Sequence, residues 1–124
     1  MAAMLLGALL LAALAGPTLV AVKLTKKELE ALAREAGFPD DQVSYAAKIA
    51  LRESGGNPDA VNNAPPREVS IGLWQINTLA WPKWSKADLL DPKRNAEAAY
   101  EIYKQAGWAP WSTASERRGQ GPPR

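Results

Sequence analysis

The chain has 124 residues, enough for one domain, and an apolar fraction of 47% that supports a core. Lys and Arg number 15 against 13 Asp and Glu, a net charge of +2 that is too small to point to nucleic acid yet does not repel an anionic cell-wall polymer. With no Cys and no His there is no disulfide framework, no thiol nucleophile, no Ser-His pair and no His or Cys set for zinc, so the available acid-base chemistry is that of carboxylates.

Residues 1–22 form an uncharged run rich in Leu and Ala, followed by Lys23, Lys26 and Lys27. The run is long enough to span a bilayer and is set aside from the fold. As a secretory signal it has a small-residue site, Ala13-Leu14-Ala15, but no Lys or Arg precedes it. As an uncleaved anchor, its trailing lysines would hold the domain in the cytoplasm. Burial in a larger assembly is the third reading.

From Leu24 the pattern is that of a helical domain covering residues 23–112. Thr25-Lys26-Lys27-Glu28 has the form of a capping box, and Leu29, Leu32 and Ala33 make an apolar face up to Gly37. After Phe38-Pro39, Asp40 or Asp41 starts a second helix that Gly55 and Gly56 end. Residues 57–66, with Asn57-Pro58-Asp59 and Asn62-Asn63-Ala64-Pro65-Pro66, show no apolar period and read as a loop over the site. Val69-Ser70-Ile71-Gly72-Leu73-Trp74-Gln75-Ile76-Asn77 reads as a short strand or as a tight bend followed by helix. Trp81-Pro82-Lys83-Trp84 breaks the pattern. Asp91-Pro92 starts a last helix, with Ala96, Ala99, Tyr100 and Tyr103 along one face up to Gly107. Residues 113–124 have no apolar residue beyond Ala114 and read as a disordered tail.

Within the second helix Val43, Ala46, Ala50 and Glu53 share one stripe, so an ionisable group lies on the face that otherwise meets the core. Tyr45, Lys48 and Arg52 mark the polar face. Partial burial and the negative end of the helix dipole both favour the protonated form of Glu53, the form a general acid needs. A solvated Glu in a fraying last turn is the alternative.

Three stretches carry a resemblance: Glu53-Ser54-Gly55-Gly56-Asn57-Pro58, then Ser70-Ile71-Gly72-Leu73-Trp74-Gln75-Ile76-Asn77, then Asn95-Ala96-Glu97-Ala98-Ala99-Tyr100. In this order they resemble the motifs of the soluble lytic transglycosylases and their phage lysozyme-like relatives, over residues 25–112. The resemblance implies a mainly α, α+β lysozyme-like fold whose short β or irregular segment lines a glycan groove. It also implies cleavage of the β-1,4 bond between N-acetylmuramic acid and N-acetylglucosamine. Glu53 matches the catalytic acid and Ser54 the hydroxyl beside it. Gly72, Leu73, Trp74 and Gln75 match the groove segment, with Gln75 bonding substrate near the cleaved bond, and Asn77 either joins them or caps the next turn. Asn95 and Tyr100 match the third motif, whose Tyr approaches the acid, although Tyr100 also fits a core position.

Most glycosidases use a second carboxylate, and none is obvious here. Asp59 follows in the loop, Glu68 precedes the groove segment, and Asp88 and Asp91 suit helix starts. The resemblance implies that the sugar's N-acetyl group supports the cation while ionised Glu53 takes a proton from the muramic 6-hydroxyl, closing a 1,6-anhydro ring. Attack by water instead gives a lysozyme. All five Trp lie in the second half; Trp74 is expected to line the site, Trp81 and Trp84 are open, and Trp108 and Trp111 suit packing. The partner expected is peptidoglycan glycan strands, outside the cytoplasm or on a virion, with residues 1–22 as a membrane contact. Neither cofactor nor metal is implied, and the chain is expected to be a monomer outside a virion. The alternative is a non-catalytic glycan-binding or phage-tail structural protein of the same fold.

Overall fold

The computed structural model describes residues 22–112, so the reading of residues 1–22 as leader, Val22 apart, and that of residues 113–124 as tail lie outside the described residues. Among the described residues no helix is long and apolar enough to cross a membrane. The elements run α1 (Lys26–Ala36), α2 (Asp40–Ser54), β1 (Val61–Ala64), β2 (Glu68–Ile71), β3 (Ile76–Asn77), α3 (Lys86–Leu90) and α4 (Pro92–Ala106), then a 3₁₀ turn (Ala109–Trp111). This is the mainly helical α+β class expected from the sequence.

Helix α1 starts at the Thr25–Glu28 capping box and stops at Gly37, whose φ of 117° suits a residue without Cβ. Helix α2 starts at Asp40, one of the two positions expected. Pro39 is the residue before it and makes no side-chain cap bond, while Asp40 and Asp41 lie inside the first turn, where they face the positive end of the dipole. Asp91 caps α4 as expected, its carboxylate accepting from the Arg94 N–H, with Pro92 at the first position. The short α3 bears out the reading of Asp88 as a helix-start residue: Ser85 caps it, and Asp88 lies in its first turn.

Residues 57–66 are not wholly loop. Val61–Ala64 pairs antiparallel with Glu68–Ile71, Val61 opposite Ile71, and β3 adds to the other side of β2, giving the order β1-β2-β3. Val69–Asn77 therefore resolves into strand, turn and strand, with no helix directly after it.

Trp74 sits in the turn between β2 and β3, wholly buried, and joins three parts of the core. Its indole Nε1–H donates to the Ala46 carbonyl of α2, its backbone N–H to Asn95 Oδ1 of α4, and its carbonyl accepts from Trp111 Nε1. Around Phe38 lies a second cluster: Trp108 stacks on it at 5.5 Å, and Tyr100 and Tyr103 approach at 5.1 and 5.2 Å. The Trp108 indole N–H donates to buried Gln42. The first cluster fixes the sheet against α2, and the second fixes α4 and the chain after it against the start of α2.

Candidate active site

Glu53 lies in the last turn of α2, below Val43, Ala46 and Ala50, which are at most 2% exposed. Its own side chain is 26% exposed. That value separates the two readings of the position: the carboxyl is neither core nor a solvated fray. Gly55 ends the helix with φ 65°, and Ser54 closes it, its hydroxyl donating to the Ala50 carbonyl at 2.9 Å and accepting from the Gly56 N–H at 3.2 Å. Arg52 was assigned to the polar face, yet its guanidinium turns back to the site. It pairs with Glu53 Oε2 at 3.1 Å and donates to the carbonyl of Trp111. This pairing is one the sequence reading of Glu53 did not include.

Glu53 opens onto a groove of about 280 Å³. One wall is the sheet, through Arg67, Glu68, Ser70 and Asn77, with Gln75 at the turn; the other is the chain after α4, through Pro110, Trp111 and Ser112. A smaller recess of about 40 Å³ continues the groove past Gln75, Asn77 and Trp111 to half-buried Trp81. Gln75 has a left-handed backbone, φ 49°, and its amide nitrogen donates to the carbonyls of Ala60 and Gly72 at 3.1 and 3.0 Å. Among the described residues its carboxamide oxygen has no hydrogen-bond partner. On the sheet wall the Ser70 hydroxyl donates to Glu68 Oε2 at 2.7 Å.

The residues picked out in the sequence divide sharply. Glu53, Gln75 and Asn77 line the groove. Asn77 also caps the following turn, its Oδ1 accepting from the N–H groups of Val69 and Leu79. Leu73, Trp74 and Asn95 are 0% exposed, so the expectation that they touch substrate is corrected: the groove segment turns inward after β2, and these side chains hold that turn. Gly72 is buried for the same reason, and with φ 82° a Cβ there would collide with the Asn95 side chain and the Leu89 carbonyl. The Ser54 hydroxyl is engaged within its own helix end and is not part of the groove lining. Tyr100 packs on Phe38 at the far end of α2, roughly 20 Å along the helix from Glu53 at 1.5 Å per residue. It does not approach the acid.

Sequence reasoning passed over Ser70, Arg67, Pro110 and Ser112, gave Trp111 only a packing role, and weighed Glu68 as a second carboxylate without assigning it. A signal existed for two of them. In a strand, alternate residues share a face, so Glu68 and Ser70 follow from the assignment of β2 once Ile71 is placed inside. For residues 110–112 there was none, because their place depends on contacts with residues far away in the chain.

A carboxyl at a helix end, facing a small antiparallel sheet across a polar groove, defines an α+β lysozyme-like domain. The family model described as lysozyme like domain matches residues 30–113, and the chain belongs to that family. A comparison with curated proteins finds no match. At the family level the domain is one of peptidoglycan glycan cleavage or binding, generally enzymatic and typically acting outside the cytoplasm.

Proposed function

We propose that this domain cleaves the β-1,4 bond between N-acetylmuramic acid and N-acetylglucosamine in peptidoglycan, with Glu53 as the proton donor. One observation carries the reading: the single carboxyl on the apolar stripe of α2 is partly buried and opens into the polar groove. The groove's volume lies near the lower end of the roughly 300–1,000 Å³ of small-molecule sites, suited to part of an extended chain whose neighbouring units lie outside. Gln75 and Asn77 supply polar contacts beside the acid, and the Trp81 ring offers an apolar face for a sugar further along.

Glu53 protonates the leaving glycosidic oxygen as the bond breaks with oxocarbenium character, and the sugar's N-acetyl group supports the cation. Ionised Glu53 is then available as a base: it takes a proton from the muramic 6-hydroxyl, giving a 1,6-anhydro end, unless water attacks first. The substrate places the working site outside the cytoplasm or on a virion, with residues 1–22 as the candidate membrane contact.

The test is mass spectrometry of the products that the full chain releases from purified sacculi. Glu53→Gln is expected to lower the rate about 10²- to 10⁴-fold while the fold is kept. A wild-type chain that binds sacculi but releases nothing would leave only a glycan-binding role.

A further inference from the structure

The groove holds a second carboxylate. We propose that Glu68 is the general base of this site and that it delivers water to the sugar, so that the chain hydrolyses its substrate rather than closing an anhydro ring. The inference rests on the reading of Glu53 as the acid.

Glu53 and Glu68 line the same groove from different walls, one at the end of α2 and the other on β2. The other acids considered do not share it. Asp59 is exposed in the connection before β1, Asp88 pairs with Arg94, and Asp91 caps α4. Glu68 is also aimed. Ser70, two residues on and therefore on the same face of β2, is 3% exposed and donates its hydroxyl to Glu68 Oε2. That bond orients the carboxylate through one oxygen. Among the described residues the other oxygen has no hydrogen-bond partner, which leaves it to a water in the groove.

The step balances without a further reactant. The glycosidic C–O bond breaks as Glu53 gives its proton to the leaving oxygen; the water oxygen bonds to the anomeric carbon, and Glu68 accepts the water's proton. Solvent then returns Glu53 and Glu68 to their starting forms. Water delivered by Glu68 attacks the anomeric carbon from the face opposite the leaving oxygen, so on this proposal the first product has the inverted, α configuration.

The test uses the full chain, purified sacculi for product masses and soluble glycan fragments for the anomer observed by NMR. Hydrolysed reducing ends, formed first as the α anomer, are expected. Glu68→Ala should lower kcat about 100-fold with KM nearly unchanged, and added azide should restore turnover by yielding the α-glycosyl azide. Glu68→Gln keeps the shape and the Ser70 bond, so it should lose the same activity without losing its melting temperature. Anhydro-ended products at an unchanged rate in Glu68→Ala would overturn the role of Glu68 and leave cleavage by Glu53 standing. Absence of any product from the wild-type chain would overturn both.

Discussion

Asn95 is wholly buried and holds the turn that carries Gln75. Its Nδ2 donates to the carbonyls of Ile71 and Leu89, each at 2.9 Å, and its Oδ1 accepts from the Trp74 N–H at 2.8 Å. One buried carboxamide thus satisfies three backbone groups that the turn after β2 and the end of α3 would leave unpaired. Each such group left without a partner costs about 1–3 kcal/mol. Asn95→Ala is therefore expected to lower stability by about 3–5 kcal/mol and the melting temperature by more than about 10 °C, read by calorimetry. The Trp residues divide the same way. Trp74→Phe should lose about 1 kcal/mol of stability with its bond to Ala46 and leave KM unchanged. Trp81→Ala should raise KM about 3- to 10-fold, the loss of one aromatic contact, and also lower stability, because half-buried Trp81 packs against the core. Asn95 and Trp74 could be recognised as important from the sequence, but not in which capacity, because a polar or aromatic residue reads alike whether it binds a ligand or fastens a turn.

At the level of elements, helices were legible because their signals are local. The Thr25–Glu28 box, Asp91-Pro92 and the terminal glycines each act within a single turn. The sheet was not. Strand β1 contains Asn62 and Asn63, poor strand formers, and exists because its backbone pairs with β2 rather than because its side chains favour it. The turn from β2 to β3 is the least tolerant element. Gly72 has a left-handed φ and meets Asn95 and the Leu89 carbonyl where a side chain would begin. Gly72→Ala should cost at least about 2 kcal/mol, and it should also reduce kcat, since Gln75 bonds the Gly72 carbonyl. Comparing denaturant midpoints with turnover at low temperature checks both parts.

For the whole molecule, the groove has three sources: the end of α2, the sheet with its turn, and residues 110–112. The first was legible as a Glu on an apolar stripe, a conflict between residue type and position of the kind that marks functional sites. The second was half legible, since Gln75 and Asn77 were found while Glu68 and Ser70 awaited the strand register. The third was hidden: Trp111 looked like packing, which it is, and the same indole that bonds the Trp74 carbonyl also walls the groove.

Arg52 joins the first source to the third by bonding both Glu53 and the Trp111 carbonyl, across 59 positions of sequence. On the ribosome those positions are separated in time as well. At roughly 5–20 residues per second, the acid is made about 3–12 s before the wall that completes its groove. Throughout that interval the nascent chain carries its carboxyl without the cleft that would present a glycan to it.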